Sequence, residues 1–143
     1  MEFVSDLHLH SKYSRAVSQQ MILSEMAKWA LKKGIHILTT SDWTHPLWFR
    51  EIRSQLEEKS EGMYGLKSQT QNSNVQKEPL FILTTEISSI YKEKDKLRRI
   101  HNLIFAPNFE TAEKINKELT KRGCNIHSDG RPIVGISSKN LLE

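Results

Sequence analysis

Short apolar runs alternate with amphipathic helical stretches along almost the whole chain, and that alternation leaves few ways to fold it. Residues 2–10 read as a strand, with Phe3, Leu7 and Leu9 on one face and Asp6, His8 and His10 on the other, because successive strand side chains point to opposite faces. Over 20–33, Ile22, Leu23, Met26, Ala27, Ala30 and Leu31 recur at helical spacing; Ser18 is the expected N-cap and Gly34 suits the left-handed position that ends the helix. Residues 35–40 make a second strand ending in Ser41-Asp42. Pro46 then opens a helix over 47–58, with Trp48, Ile52 and Leu56 on one face. A third strand covers 80–87 and a fourth 99–106, with a polar turn over 91–97 between them. Asn108 caps a helix that runs to Arg122 and stops at Gly123; a fifth strand covers 133–136, and Ser137 caps a last helix. This order predicts an α/β fold with a parallel sheet, either barrel-type or doubly wound. Residues 60–78, rich in Ser, Gln, Asn and Lys, form a polar insertion longer than an ordinary connection.

The 143 residues suffice for one domain with a real core. Cys124 is the single cysteine, which excludes an internal disulfide and points to a reducing compartment. No apolar run approaches the ~18 residues of a membrane span. The opening Met1-Glu2-Phe3-Val4-Ser5-Asp6 lacks the basic and apolar regions of a signal peptide. The expectation is a soluble, mildly basic, cytoplasmic protein, and a net charge of +4 is too small to mark a nucleic-acid binder by itself.

The sharpest chemical feature is Asp6-Leu7-His8-Leu9-His10. Residues i and i+2 of a strand point the same way, about 6.5–7 Å apart, so His8 and His10 can grip one metal ion; the same pattern also fits two surface histidines on a half-exposed strand. Their place at the C-terminal end of a strand is where barrel active sites are built. Asp42 and His45 follow the second strand, Glu86 ends the third and His101 lies on the fourth. A turn centred between Glu93 and Lys94 would set Glu86 directly opposite His101, with Cβ atoms roughly 5 Å apart. That pair suits a metal bridge or an ordinary cross-strand polar contact. Asp42 and His45 serve equally as helix-start residues before Pro46. Lys12 and Arg15 would stand at the mouth of the site and are the candidates for phosphate contact. Trp43 and Trp48 read as packing residues, with base stacking the alternative for Trp43. His36 falls at the opposite end of its strand, His127 lies in a loop, and Trp29 belongs to a helix.

Asp6-Leu7-His8-Leu9-His10-Ser11, an Asp at the end of the second strand, Glu86 and His101 together resemble the PHP (polymerase and histidinol phosphatase) domain. His10-Ser11-Lys12-Tyr13-Ser14-Arg15-Ala16, Ser41-Asp42-Trp43-Thr44-His45-Pro46, Glu86-Ile87-Ser88 with Tyr91, Arg99-Ile100-His101-Asn102-Leu103 and Ser128-Asp129-Gly130-Arg131-Pro132-Ile133 are similar to its endonuclease Q branch. The resemblance covers nearly the whole chain outside the insertion. It implies a distorted β/α (TIM-like) barrel holding two or three divalent metal ions, zinc or manganese first and iron as the alternative, at its C-terminal face for phosphoester hydrolysis. Members of the branch nick DNA 5′ of deaminated bases such as uracil and hypoxanthine.

Carried over residue by residue, His8 and His10 match the first metal pair, Glu86 the bridging carboxylate and His101 a ligand of the second metal. The general pattern has Thr-Asp-His where this chain has Ser41-Asp42-Trp43, so His45 is the substitute candidate there, and Val17 stands where polymerase-type members carry an acid. A later histidine and an Asp-x-His have no counterpart in these residues. A barrel needs about 200–250 residues, so residues 1–143 are expected to be the N-terminal part of one, with an incomplete metal cage. The implied reaction is metal-dependent phosphodiester hydrolysis on damaged DNA by metal-activated water. The alternatives are a histidinol-phosphatase-like phosphomonoesterase and an inactive fragment that binds a metal or a partner.

Overall fold

The computed structural model describes residues 2–67 and 78–143. Its elements run in the order β1 (Ser5–Asp6), α1 (Leu23–Lys33), β2 (Ile37–Thr39), α2 (Pro46–Gln55), β3 (Leu56–Ser60), β4 (Met63–Leu66), β5 (Leu80–Glu93), β6 (Lys96–Ala106), α3 (Phe109–Lys121), β7 (Ile133–Val134) and α4 (Ser138–Leu142). The seven described strands form one mixed sheet packed with four helices. β1, β2 and β5 are parallel neighbours, and β7 also runs parallel to β5. The expected parallel frame is therefore present, joined to three antiparallel pairs, β3–β4, β4–β5 and β5–β6.

β5 organises the molecule. Its first residues are flanked by β2 and β4, and from Leu83 onward it pairs with β6 on one edge and, at Ser88 and Ser89, with β7. Alternation along β5 puts Phe81, Leu83 and Ile87 on the helix-covered face, where they are buried in the two apolar clusters found among the described residues. Glu86 and Ser88 point from the other face. One cluster joins Leu23, Met26, Ala27 and Ala30 of α1 to Leu38, Trp48, Ile52, Tyr64 and Phe81; the smaller one joins Ile87, Leu119, Ile126 and Val134.

Several expected boundaries move. The first strand is two residues long, so His8 and His10 follow it on the chain that leaves its C-terminal end. α1 begins at Leu23, and Ser18 does not cap it; the Ser18 Oγ accepts from Gln20 N–H, and Lys12 N–H bonds Met21 O across the preceding loop. Gly34 ends α1 with φ +70°, as its sequence position requires. Asn108 and Ser137 cap α3 and α4, accepting from Thr111 N–H and Asn140 N–H.

The helix expected over 47–58 ends at Gln55, and Leu56 turns into a hairpin of β3 and β4 through Gly62, φ +71°. Tyr64 of β4 pairs with Phe81 and packs on Phe109, ring centroids 4.8 Å apart. That tertiary contact draws the start of the expected insertion into the sheet, while the rest of 60–78, from 68 to 77, lies outside the described residues. The polar turn expected over 91–97 is instead strand almost throughout. Lys94 and Asp95, with φ +45° and +60°, form a two-residue loop, so Glu93 faces Lys96. No described helix is long and apolar enough to cross a membrane.

Candidate metal centre

The loop after β1, the end of β2 and the middle of the β5–β6 hairpin meet at one point. The two-residue loop shifts the hairpin register from the expected one, so Glu86 faces Leu103 and His101 faces Ser88. A shift of two residues keeps every side chain on its face, and the diagonal still brings His101 Nδ1 into direct contact with Glu86 Oε1. His8 Nε2 lies 2.8 Å and His10 Nε2 3.0 Å from Glu86 Oε2. Three imidazoles thus surround one carboxylate that is 3% exposed. The His8 and His101 side chains are about half exposed, so the cluster opens to solvent on their side. Burial pushes the Glu86 carboxyl up, but the hydrogen bond from His8 and the charges of His10, His101 and Arg131 outweigh it and hold it below the usual carboxylate range.

Asp42 stands behind His10. Ser41 and Asp42 both have left-handed backbone, φ +53° and +44°, which turns the chain sharply at the end of β2. Trp48 Nε1–H holds that turn by donating to Thr40 O and Ser41 O, both at 3.0 Å. The fully buried Asp42 carboxylate accepts from Ser11 N–H (2.6 Å), Ser11 Oγ–H (2.7 Å) and Ser14 Oγ–H (2.9 Å), and its Oδ1 lies 3.1 Å from His10 Nδ1. That hydrogen bond raises the His10 pKa and leaves its Nε2 facing Glu86. Gly130 closes the back: a Cβ there would meet Asp42 Oδ2 and Ser14 Oγ at 2.5 Å each, so only glycine fits.

The other candidate residues fall elsewhere. His45 is buried beside α2, stacked on Tyr13 with ring centroids 4.4 Å apart, and its pKa is lowered by burial. It does not join the imidazoles around Glu86. Lys12 pairs with Glu51 at 3.0 Å, and Tyr13 Oη–H donates to the same carboxylate, which lifts the phenol to about 12. Arg15 is exposed. Trp43 is fully buried, so the base-stacking alternative is corrected: its ring has no free face. His36 accepts from Val4 N–H at the far end of β2, His127 is exposed in its loop, and Trp29 is half exposed beneath Lys32.

Ser11, Ser14, Gly130 and Arg131 were not singled out as site residues by the sequence chemistry. Their signal lay in the His10–Ala16 and Ser128–Ile133 motifs, which carry no metal-ligand spacing of their own. Arg131 Nη1 reaches to 3.8 Å from Glu86 Oε1.

The cluster fits a divalent metal. One ligand atom each from His8, His10 and Glu86 lies within 4.8 Å of the others, as required of donors bonded at about 2.0–2.2 Å to a common centre. Glu86 Oε1 is buried yet accepts no hydrogen bond of normal geometry among the described residues, which leaves a lone pair for an ion. The donor set of imidazole and carboxylate suits Zn, Mn or Fe.

The chain matches a fragment of the fold of endonuclease Q, a PHP-type endonuclease. The lesion-specific endonuclease PfuEndoQ from Pyrococcus furiosus superposes with a TM-score of 0.77 at 28% identity, over 96% of this chain and 30% of that one. An endonuclease Q in complex with a 27-mer duplex substrate carrying an abasic lesion at the active site gives a TM-score of 0.74 at 29% identity, over 93% of this chain and 29% of that one. Among curated proteins, the uncharacterized protein MJ0043 of Methanocaldococcus jannaschii is 33% identical over 138 residues, which is 96% of this chain and 14% of that protein. The chain therefore spans a small part of each protein it matches. No protein-family model matches it.

Proposed function

We propose that this chain forms part of a metal-dependent phosphodiesterase of the endonuclease Q type, acting on DNA that contains deaminated or otherwise damaged bases. The observation that supports it most is the convergence of His8, His10 and His101 on the buried Glu86. In this reading residues 1–143 are a partial PHP domain, the N-terminal part of a distorted β/α barrel with its insertion at 60–78, in a reducing, cytoplasmic setting that suits the unpaired Cys124. The similarity to a nuclease solved on a DNA duplex supports DNA as the partner.

His8, His10 and Glu86 would hold one ion, with His101 on the other oxygen of Glu86 as ligand to a second. A divalent metal supplies the charge that lowers the pKa of water and offsets negative charge building on the scissile phosphate. The chain's own residues do the positioning. Glu86 presents Oε2 to His8 and His10 and Oε1 to His101, and Asp42 holds the His10 ring with Nε2 toward Glu86. Half-exposed His8 and His101 leave room for substrate to approach. Four ligand side chains cannot fill the shells of two or three ions, so the remaining ligands come from residues outside this set, and the 143 residues alone are expected to be inactive.

Nicking assays test this. A protein in which the rest of the barrel accompanies these residues is expected to nick uracil- or hypoxanthine-containing duplex only with Zn or Mn present, and the Glu86→Gln variant to lose that activity. Preferential hydrolysis of a small phosphate monoester would favour the phosphatase alternative, and strong nicking by the 143 residues alone would overturn the incomplete-site reading.

A further inference from the structure

Arg131 stands at the edge of the cluster in a way that metal binding alone does not explain. Its guanidinium lies 3.8 Å from Glu86 Oε1, beyond hydrogen-bond distance, and its side chain makes no hydrogen bond among the described residues. The backbone that carries it is pinned on both sides. Gly130 N–H donates to Tyr13 O, Arg131 N–H donates to Asp129 Oδ1, and Ser88 N–H donates to Pro132 O, each at 3.0 Å. The bulk of this loop is set by Gly130 resting on Asp42, so the position of Arg131 is coupled to the wall that orients His10.

A permanent cation this close to metal ligands weakens a cation's binding by repulsion. As a partner for Glu86 it is redundant, since three imidazoles already surround that carboxylate. Its side chain is 40% exposed and approaches Glu86 Oε1, the oxygen that half-exposed His101 also contacts. A partly exposed guanidinium that makes no hydrogen bond among the described residues and stands beside the candidate metal ligands is arranged for an anion that touches both. Its planar fork matches two oxygens of a tetrahedral oxyanion. Lys12, the residue expected in that role, is held by Glu51.

We propose that Arg131 binds the non-bridging oxygens of the substrate phosphoester beside the metal centre. This rests on the metal-phosphoesterase reading and adds to it a residue that positions substrate. Inorganic phosphate serves as the probe, titrated calorimetrically into the manganese-loaded chain, with metal content measured on the same samples. Arg131→Met and Arg131→Lys are expected to take up at least as much metal as wild type, since Met removes a repelling charge and Lys keeps it. Phosphate affinity is expected to fall about tenfold or more in Arg131→Met, with Arg131→Lys between, and to be unchanged in a remote Arg50→Met control. Equal phosphate affinity in wild type and Arg131→Met would overturn the proposal while leaving the metal reading intact, as would metal-loaded wild type that binds no phosphate. Lower metal content or a lower Tm in Arg131→Met would also overturn it, showing Arg131 to be a structural counter-charge. No metal uptake by wild type would sink both readings.

Discussion

Asp42 and His10 form a carboxylate–imidazole pair in which Oδ1 lies 3.1 Å from Nδ1 while Nε2 of the same ring lies 3.0 Å from Glu86. The acid sits behind the ligand face. Asp42→Asn keeps the shape and the contact to Ser11 but removes the charge that fixes the ring. Affinity for Zn or Mn is expected to drop about 10–100-fold, read by competition with a chelator, with the fold retained by circular dichroism. Unchanged affinity would show that Asp42 only caps the turn before α2.

Gly130 and Gly135 make a matched pair for testing the wall behind Asp42. A methyl at 130 meets Asp42 Oδ2 and Ser14 Oγ at 2.5 Å, whereas at 135 it meets nothing within 4 Å. Gly130→Ala should destabilise by about 1–3 kcal/mol, and Gly135→Ala by no more than about 0.5 kcal/mol. Urea denaturation of the two variants checks the contrast.

His45 makes stability depend on pH in a definite direction. Burial lowers its pKa from 6.5 in the folded state. The unfolded chain then binds the proton more readily, so the contribution is complete above pH 6.5 and is lost as pH falls through the folded value. His10 is shifted the opposite way and contributes below pH 6.5, so wild type alone would mix the two. Comparison with His45→Phe, which keeps the stack on Tyr13, separates them. Wild type should lose stability relative to the variant as pH is lowered from about 7.5 to about 5, and parallel pH curves would refute the assignment.

The hairpin that carries His101 offers a gain. Lys94 and Asp95 both occupy left-handed backbone, where a side chain costs energy that Asn-Gly largely avoids. The double replacement Lys94→Asn, Asp95→Gly should stabilise by about 0.5–1 kcal/mol, seen as a higher urea midpoint, with metal affinity unchanged because the register is kept.

Much of this site was legible before the fold was. His-x-His after a strand, a glutamate on a long apolar strand and a histidine on its partner are local patterns, and local geometry sets which face each residue takes. The contact between Glu86 and His101 survived a wrong register because a two-residue slip preserves the face. The hairpin of β3 and β4 was not legible: Leu56 continues a helical stripe, and only Tyr64 seating against Phe81 and Phe109 makes strand the better use of that segment. The roles of Asp42, Gly130 and Arg131 were hidden for a similar reason.

By itself, then, the order of residues determined much of the strand–helix alternation, the caps at Asn108 and Ser137, the turn at Gly34 and which imidazoles and carboxylate are candidates to gather at one point. These depend on backbone preferences and periodicity within a few residues. Only the tertiary structure decided that Asp42 backs His10, that Gly130 must lack a side chain, that Trp43 is sealed in the interior and that Arg131 reaches the cluster. Each of those depends on segments that are distant in the chain being packed to within van der Waals contact, and no local pattern encodes that distance.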